Sequence, residues 1–282
     1  MLKTTIEPVV ITVKDKLQVK KAETFSQCFS SALEENLSFT SVVKAIDERI
    51  KNDHPSIDSS ALSNSHGDWY EWFIAFTAWN YRIEKNSKYL LLILPNKRQF
   101  DVSTLYQTKL SEYISDLKSK VSSSSNVELI SSNPDFVIID TSDLELPSEF
   151  NEKINKISTN TIDMLNLAYK KFIGKCSLNN IHGYLSVKTS FRPDRRLQIA
   201  HEGSLMKAIY VHLQTRDWII NPKGLKYFAA STSVGQPDYE ALRTVATHSI
   251  TNVSSKPQAA VDKVFMINDV ESATAALSVI FS

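Results

Sequence analysis

Short apolar runs alternate with segments of helical periodicity along most of this chain, and the alternation limits the folds that it can adopt. The apolar runs, which we predict to be β-strands, cover Tyr89–Leu94, Asn126–Ile130, Phe136–Asp140, Tyr184–Thr189 and Lys226–Ser231. Helical patterns lie between or after them at Ser103–Lys120, Thr161–Ile173, Ile199–Leu213, Pro257–Met266 and Asp269–Phe281. Because several strands are apolar throughout, both faces of their sheet need to be covered. The sequence therefore predicts an α/β fold with a central mixed β-sheet flanked by helices.

The part of the chain before these strands is predicted to be mainly helical. Residues 21–51 have a helical pattern. A second helix is expected to start at Gly67–Asp68, because the aromatic residues after it recur at the spacing of one buried helix face: Trp69, Trp72, Phe73, Phe76 and Trp79. The chain has no internal repeat and only six glycines. We predict a single domain over residues 1–282, with residues 1–60 as a candidate N-terminal helical subdomain.

Membrane and secreted classes are disfavoured by the same sequence. The longest apolar run, Tyr89–Leu94, ends at Pro95 and is far shorter than the roughly 20 residues that cross a bilayer. Residues 1–17 have no hydrophobic core of a signal peptide. Two cysteines, Cys28 and Cys176, form neither a disulfide framework nor a zinc cluster. We expect an intracellular protein in a reducing compartment, with no membrane partner.

Charge is unevenly distributed although the net charge is only +1. Residues 128–163 hold eight acids and two bases, whereas residues 181–230 hold eight bases and three acids. A basic block of this kind is what binding to a phosphate backbone requires. A solvated basic face is the alternative, and charge alone does not decide between them.

A proline-restrained aspartate precedes the predicted strand Phe136–Asp140, in the tripeptide Asn133–Pro134–Asp135. This position puts a carboxylate at the sheet edge, where a divalent cation can reach it. The alternative is a turn aspartate without a partner, because Asn-Pro-Asp is also ordinary turn chemistry.

A serine and a lysine share one face of the predicted strand Tyr184–Thr189, because strand residues alternate between faces. Lys188 could orient a metal-bound water and stabilise hydroxide, and Ser186 could hold that lysine or another ligand. The alternative is that Lys188 only marks an edge strand.

The next segment is dense in charge: Arg192, Asp194, Arg195 and Arg196 surround Pro193, which is expected to prevent a continuous helix. Arginine bonds bidentately to guanine and aspartate accepts from cytosine N4, each pair giving about 1–3 kcal/mol of discrimination. Two arginines and one aspartate would satisfy half of a CCGG palindrome per subunit. The alternative is a salt-bridged helix N-terminus in which Asp194 compensates the arginines and the helix dipole.

A further acid, Glu202, lies on the predicted helix Ile199–Leu213. It extends the apolar row that packs on the sheet, which is formed by Leu205, Met206, Ile209 and Leu213. A carboxylate on a buried helix face is rarely accidental unless it is paired or binds a metal.

Taken together, these segments resemble the PD…(D/E)xK nuclease superfamily and, within it, the CCGG-family type II restriction endonucleases. The matching stretches are residues 133–135, 186–198 and 201–207, with further resemblance at 67–72, 213–222 and 246–250. The resemblance covers roughly residues 60–265. Ser186 replaces the usual second acid, which in this family comes from a helix, at the position of Glu202. The resemblance implies a restriction-endonuclease-like fold.

The resemblance also implies roles for these residues. Asp135 and Glu202 would ligate Mg²⁺, Glu71 would complete the acidic cluster, and Lys188 would position or polarise the attacking water. Base reading would fall to the arginine-rich segment at residues 192–196. Up to two Mg²⁺ ions per active site are expected.

The implied function is Mg²⁺-dependent cleavage of double-stranded DNA at a CCGG-centred palindrome, R/CCGGY, leaving four-base 5′ overhangs. A palindrome requires a two-fold dimer, and the family suggests a homotetramer with Trp218 at the dimer–dimer contact. The system would include a cognate DNA methyltransferase in a bacterial cytoplasm. Two alternatives remain at this point: a catalytically inert DNA-binding protein on the same fold, and a small-molecule metal hydrolase whose arginines bind an anion.

Overall fold

The structure, a computed structural model, describes residues 3, 7–125, 127–129, 133–251 and 256–282. Its centre is a five-stranded mixed sheet in the order β3-β4-β5-β6-β7. These strands are β3 (Tyr89–Ile93), β4 (Phe136–Asp140), β5 (Ile181–Lys188), β6 (Lys226–Ser231) and β7 (Lys263–Met266). A separate antiparallel pair is formed near the N-terminus by β1 (Val10–Val13) and β2 (Lys16–Val19).

Helices flank the sheet, as its apolar strands require. They are α1 (Lys21–Gln27), α2 (Phe39–Asp53), α3 (Ser59–Glu84), α4 (Thr108–Ser125), α5 (Thr159–Leu167), α6 (Pro193–Arg216), α7 (Gln236–Leu242) and α8 (Val270–Ile280). Helix α3 packs against α8, β3 and β5, and α6 packs against α4, α7 and β6. None of the helices in the described part of the chain is both long and apolar enough to span a membrane.

The strand pairing changes from antiparallel to parallel at the middle strand, β5. Strand β4 is antiparallel to both β3 and β5, whereas β5, β6 and β7 run parallel. The parallel register sets Ser186 beside Ala229 and Lys188 beside Ser231. Gly183 permits the close approach of β5 to β6, because a Cβ there would lie 2.4 Å from the carbonyl oxygen of Lys226. The mixed sheet predicted from the sequence is thus confirmed.

The long helix α3 fills the core with aromatic side chains, and the polar atoms of its buried tryptophans and of Tyr70 are paired. The indole of Trp69 donates to the carbonyl of Lys21 at 3.1 Å, and the Tyr70 hydroxyl donates to that of Ile267 at 2.8 Å. Such pairing removes the cost of burying an indole N–H or a phenol. The helix begins at Ser59, capped by Asp58, and not at Gly67–Asp68 as predicted. The sequence pattern missed this start because most of the residues at 59–66 are polar.

Three other local predictions need correction. Residues 21–51 form two helices, α1 and α2, and are preceded by the β1–β2 hairpin that the sequence did not predict. The predicted helix Pro257–Met266 is wrong within the described residues, since its last four residues form β7. Of the predicted strand Asn126–Ile130, residues 127–129 are irregular and the two end residues lie outside the described part of the chain.

The prediction for Pro193 is also wrong. It does not interrupt a helix but occupies the first turn of α6. Proline is well tolerated there because the first amide groups of a helix have no intrahelical acceptor. Helix α6 therefore begins at Pro193 and not at Ile199, and it carries both the arginine-rich segment and Glu202.

Candidate active site

The position of Asp135 is fixed by Asn133, which ties down the loop before β4. The Asn133 amide donates to the carbonyls of Pro95 and Phe100 at 2.9 and 2.6 Å, and its oxygen accepts from the Val102 amide at 3.2 Å. The backbone of Asp135 accepts from Leu94, which continues the β3–β4 pairing by one residue. The Asn-Pro-Asp tripeptide therefore delivers a carboxylate rigidly to the end of the strand.

The Asp135 carboxylate has a full set of donors on the neighbouring strand β5. It accepts from the Ser186 hydroxyl at 3.0 Å, from the Val187 amide at 2.6 Å and from the Lys188 ammonium at 2.8 and 3.0 Å. The Asp135 and Lys188 side chains are 17% and 23% exposed. The alternatives of a partnerless turn aspartate and an unengaged edge lysine are therefore excluded.

Lys188 is surrounded by negative charge. Burial acts to lower the pKa of Lys188. The neighbouring carboxylates of Asp135, Glu71 and Glu202 outweigh burial and leave that pKa above its ordinary value. The lysine is therefore held as an ammonium ion. It can orient or polarise a water molecule, but it is poorly suited to act as a base.

Glu71, on α3, lies in the same cluster. Burial raises the pKa of Glu71 well above its ordinary value, and the charges of Asp135 and Asp68 raise it further. Lys188 and Lys21 act in the opposite direction. A carboxyl group with a raised pKa beside another acid is typical of sites that gain a positive charge when a ligand binds.

Glu202 reaches the cluster from α6, and its side chain is bound by a tyrosine. Glu202 is 3% exposed, and its Oε1 accepts from the hydroxyl of the fully buried Tyr227 at 2.9 Å. Burial holds the pKa of Tyr227 well above its ordinary value, and the negative charge of Glu202 adds to the effect. Tyr227 is therefore the hydrogen-bond donor of the pair.

The arginine-rich segment forms the exposed N-terminus of α6. Asp194 lies 3.7 Å from the Arg192 guanidinium and 3.8 Å from that of Arg195, so both ion pairs are loose. The Arg192 and Asp194 side chains are each 65% exposed and that of Arg195 is 39% exposed. Loose exposed pairs of this kind add little stability. The side chains are therefore available to a ligand.

Arg196 differs from its neighbours. Its guanidinium lies 3.5 Å from Asp238 of α7, and its side chain is only 20% exposed. This pair fastens α7 to α6. Among the four charged residues predicted to contact DNA, Arg196 is the one that the fold already uses.

Trp218 lies at the other end of α6, just beyond Arg216, and is 89% exposed. Its φ is +53°, a left-handed conformation that bulky residues rarely adopt. Ile220 nearby is also 89% exposed. Two large apolar side chains that face solvent from such a loop are typical of an interaction surface.

The cluster supplies donors that suit a hard divalent cation. Glu71, Asp135 and Glu202 provide the carboxylate oxygens that Mg²⁺ prefers. Among the described residues, however, no three acidic, histidine or cysteine side chains form a ready-made metal cage. Lys188 instead occupies both oxygens of Asp135. The donor set fits a magnesium ion, and a cation bound at Asp135 would compete with Lys188 for those oxygens.

Sequence reasoning does not single out Tyr227, because the pattern at Lys226–Ser231 indicates only an apolar strand. A tyrosine at the centre of a buried strand does carry a signal, since its hydroxyl needs a partner. The contribution of the Val187 amide was not foreseeable, because a backbone donor is set by strand register and not by residue type.

Comparison with known proteins agrees with the fold. The model of the Cfr10I/Bse634I restriction endonuclease family matches residues 6–282. The type II restriction enzyme Cfr10I of Citrobacter freundii is 50% identical over 229 residues, which are 80% of each chain.

Two solved structures are also similar. The Bse634I restriction endonuclease superposes with a TM-score of 0.88 at 32% identity, over 97% of this chain and 96% of the other. A crystal structure of the type IIF restriction endonuclease Bse634I with cognate DNA gives a TM-score of 0.89 at 32% identity, over 98% and 97%.

The fold and these relatives define a type II restriction endonuclease, an enzyme that cleaves DNA at specific sequences. This chain belongs to the Cfr10I/Bse634I restriction endonuclease family.

Proposed function

We propose that this enzyme uses Mg²⁺ to hydrolyse double-stranded DNA at the palindrome R/CCGGY, leaving four-base 5′ overhangs. One observation carries the proposal: Lys188, held charged among three carboxylates, lies only four residues before the exposed Arg192. A group suited to phosphodiester hydrolysis therefore stands next to a group suited to reading guanine. The cognate DNA of the Bse634I complex supports DNA as the substrate.

The roles of the acids follow from their contacts. Asp135, Glu202 and Glu71 would hold one or two Mg²⁺ ions. When bound, these ions lower the pKa of a coordinated water and neutralise charge on the phosphate. Ser186, which donates to Asp135 at 3.0 Å, would fix the orientation of that carboxylate. In this arrangement Ser186 replaces a second acid because Glu202 supplies the charge.

Lys188 would act on the attacking water and not as a metal ligand. Its ammonium has three donors, two of which reach Asp135 in this structure. Once a cation takes over Asp135, those donors can turn to a water or to a phosphate oxygen. Neighbouring carboxylates raise the pKa of Lys188 in this structure, and as an ammonium ion it would stabilise the developing negative charge.

Base reading would be carried out by Arg192, Asp194 and Arg195. Their exposure and loose ion pairs leave the guanidinium and carboxylate groups able to exchange partners. Bidentate arginine–guanine pairs and aspartate–cytosine contacts then select CCGG. Arg196, already paired with Asp238, would contribute a backbone-facing positive charge and not a base contact.

The enzyme would work as a homodimer that assembles further into a tetramer. A half-site reader needs a two-fold related copy to read a palindrome. The exposed Trp218 supports a second interface at the far end of α6. A cognate methyltransferase would protect host DNA in the bacterial cytoplasm, and residues 1–282 would function as a single domain.

No observation favours the alternative of a catalytically inert DNA-binding protein. An inert relative is free to lose charged groups from its site, whereas here a lysine and three acids remain clustered. The small-molecule hydrolase is also disfavoured by the family.

Two matched duplexes test the proposal, one with a single ACCGGT site and one with the same bases scrambled. With Mg²⁺ we expect complete cleavage of the first and none of the second. With EDTA we expect selective binding of the first without cleavage. Selective binding that never leads to cleavage would support the inert alternative, and equal cleavage of both duplexes would contradict the assignment of base reading.

A further inference from the structure

The hydroxyl of Tyr227, on β6, donates a hydrogen bond to the Glu202 carboxylate of the acidic cluster. Tyr227 is fully buried, and the Glu202 carboxylate that it contacts is 3% exposed. The 2.9 Å distance between the two oxygens is typical of a good hydrogen bond. A hydrogen bond between a neutral donor and a carboxylate is stronger than one between neutral groups.

Tyr227 is itself held in place from two sides. Its backbone amide donates to Oδ2 of Asp262 at 2.7 Å. The buried ammonium of Lys207, on α6, lies 2.8 Å from the same oxygen and donates to the carbonyl of Ala259 at 2.7 Å. The strand that carries Tyr227 is thereby fastened to the helix that carries Glu202.

The tyrosine ring is also confined by α6. A Cβ at Gly203 would lie 2.9 Å from the Tyr227 ring and 2.4 Å from the carbonyl oxygen of Ala260, so only glycine allows this approach. The ring therefore has little freedom to move, and its hydroxyl has a fixed position. That position lies beside Ser186 and Asp135 as well as Glu202.

We propose that Tyr227 is a positioning residue of the active site, which holds the Glu202 carboxylate in the orientation that binds the divalent metal. The inference rests on the metal-binding role proposed for Glu202. Glutamate has three side-chain torsions, and fixing them before the metal arrives removes part of the entropic cost of binding. Loss of a residue that orients a metal ligand typically lowers metal affinity or activity by about 10- to 100-fold.

The test compares Tyr227→Phe with Tyr106→Phe. Tyr106 is a matched control because it is also buried and its hydroxyl is hydrogen-bonded to Tyr184, outside the acidic cluster. Calorimetric titration of Ca²⁺ into the full-length protein bound to a CCGG duplex gives the metal affinity, after subtraction of a titration into the duplex alone. Ca²⁺ is used because, like Mg²⁺, it takes oxygen ligands.

We expect Y227F to bind Ca²⁺ about 10-fold or more weakly than the wild type, and Y106F to remain within about 2-fold. The Mg²⁺ concentration for half-maximal cleavage should rise in parallel in Y227F. A purely structural role would instead lower the melting temperature and leave both metal dependences unchanged. Wild-type Ca²⁺ affinity in Y227F would overturn the inference.

A double-mutant cycle with Glu202→Gln shows whether Tyr227 acts through Glu202. Adding Y227F to E202Q should leave the Ca²⁺ affinity as it is in E202Q, and a further loss would overturn the inference. Comparing E202Q with the double variant also tests the inference if Y227F alone folds poorly. Residue 202 is an amide in both proteins, so loss of the Tyr227 hydroxyl leaves no buried carboxylate without its donor. If E202Q itself binds Ca²⁺ as the wild type does, the proposed role of Glu202 is wrong. If E202Q is weakened but Y227F is not, only the role of Tyr227 is wrong.

Discussion

The Lys188 ammonium lies 2.8 Å from one oxygen of Asp135 and 3.0 Å from the other, so the lysine bridges the carboxylate of the adjacent strand. This contact joins two segments that are 53 residues apart in the sequence. It also places a positive charge where a metal ion would have to bind. The lysine thus compensates the charge of Asp135 before a metal enters, and removal of either partner should have a measurable effect.

Asp135→Asn should abolish cleavage while preserving, or strengthening, specific DNA binding. The substitution keeps the side-chain shape but removes a negative charge that would otherwise hold the metal and repel the phosphate. Gel-shift and cleavage assays on one CCGG duplex measure both properties. The control is Asp140→Asn at the other end of β4, where the buried carboxylate pairs with Lys88 and Lys223. D140N should lose stability and keep cleavage per folded molecule; cleavage by D135N at the wild-type rate would refute the metal assignment.

Arg195→Ala should weaken discrimination between CCGG and single-base variants by about 1–3 kcal/mol. Among the described residues, Arg195 makes only a loose pair with Asp194 and a 3.2 Å hydrogen bond to Gln198, so folding should be little changed. Competition binding with substituted duplexes measures the effect. Arg49→Ala, which removes a surface pair with Asp53, is the matched control and should leave discrimination intact. Unchanged discrimination in R195A would assign base reading to other residues.

Trp218→Ala should shift the assembly from tetramer towards dimer. Burial of a large exposed apolar side chain supplies roughly 1.5–3 kcal/mol, which is enough to decide a weak interface. Sedimentation velocity over a range of protein concentrations measures the shift. Ile250→Ala, at another exposed apolar residue, should leave the assembly as it is. Identical sedimentation of W218A and the wild type would place the second interface elsewhere.

Acid should remove the stability that Asp140 contributes. Burial acts to raise the pKa of Asp140, but hydrogen bonds from Ser142 and Lys88 outweigh it and leave that pKa well below its ordinary value. A depressed folded-state pKa adds stability above the unfolded value, near about 3.9, and that stability is lost as the pH falls towards the folded value. Urea unfolding should therefore show a gap between wild type and D140N that is wide at pH 6 and narrows below pH 4. A gap independent of pH would contradict this.

The sequence was sufficient to predict four of the five strands of the mixed sheet and three members of the cluster, Asp135, Lys188 and Glu202. Asp135 and Lys188 were recognisable because each adjoins or lies on an apolar strand with clear boundaries. Glu202 was recognisable because a carboxylate in an apolar helical row needs a partner. These are local signals, and the structure places the three residues in one cluster.

Features that depend on distant contacts were not predictable. The predicted helix at Pro257–Met266 contains β7, whose Val264 and Phe265 are buried because they pair with β6. A short apolar segment of this kind fits either structure, and only the neighbouring strand decides. The role of Tyr227 likewise depends on α6 lying across β6, which no local pattern shows.

Sequencing the ends of digested genomic DNA tests the central claim most directly. If the acidic cluster cleaves DNA and the segment at residues 192–196 recognises its bases, every fragment made with Mg²⁺ should begin with a four-base 5′ overhang of sequence CCGG. In the uncut DNA, a purine should precede this sequence. Digestion should stop when EDTA replaces Mg²⁺. Fragment ends at unrelated sequences, or ends that lack a common CCGG, would contradict the account.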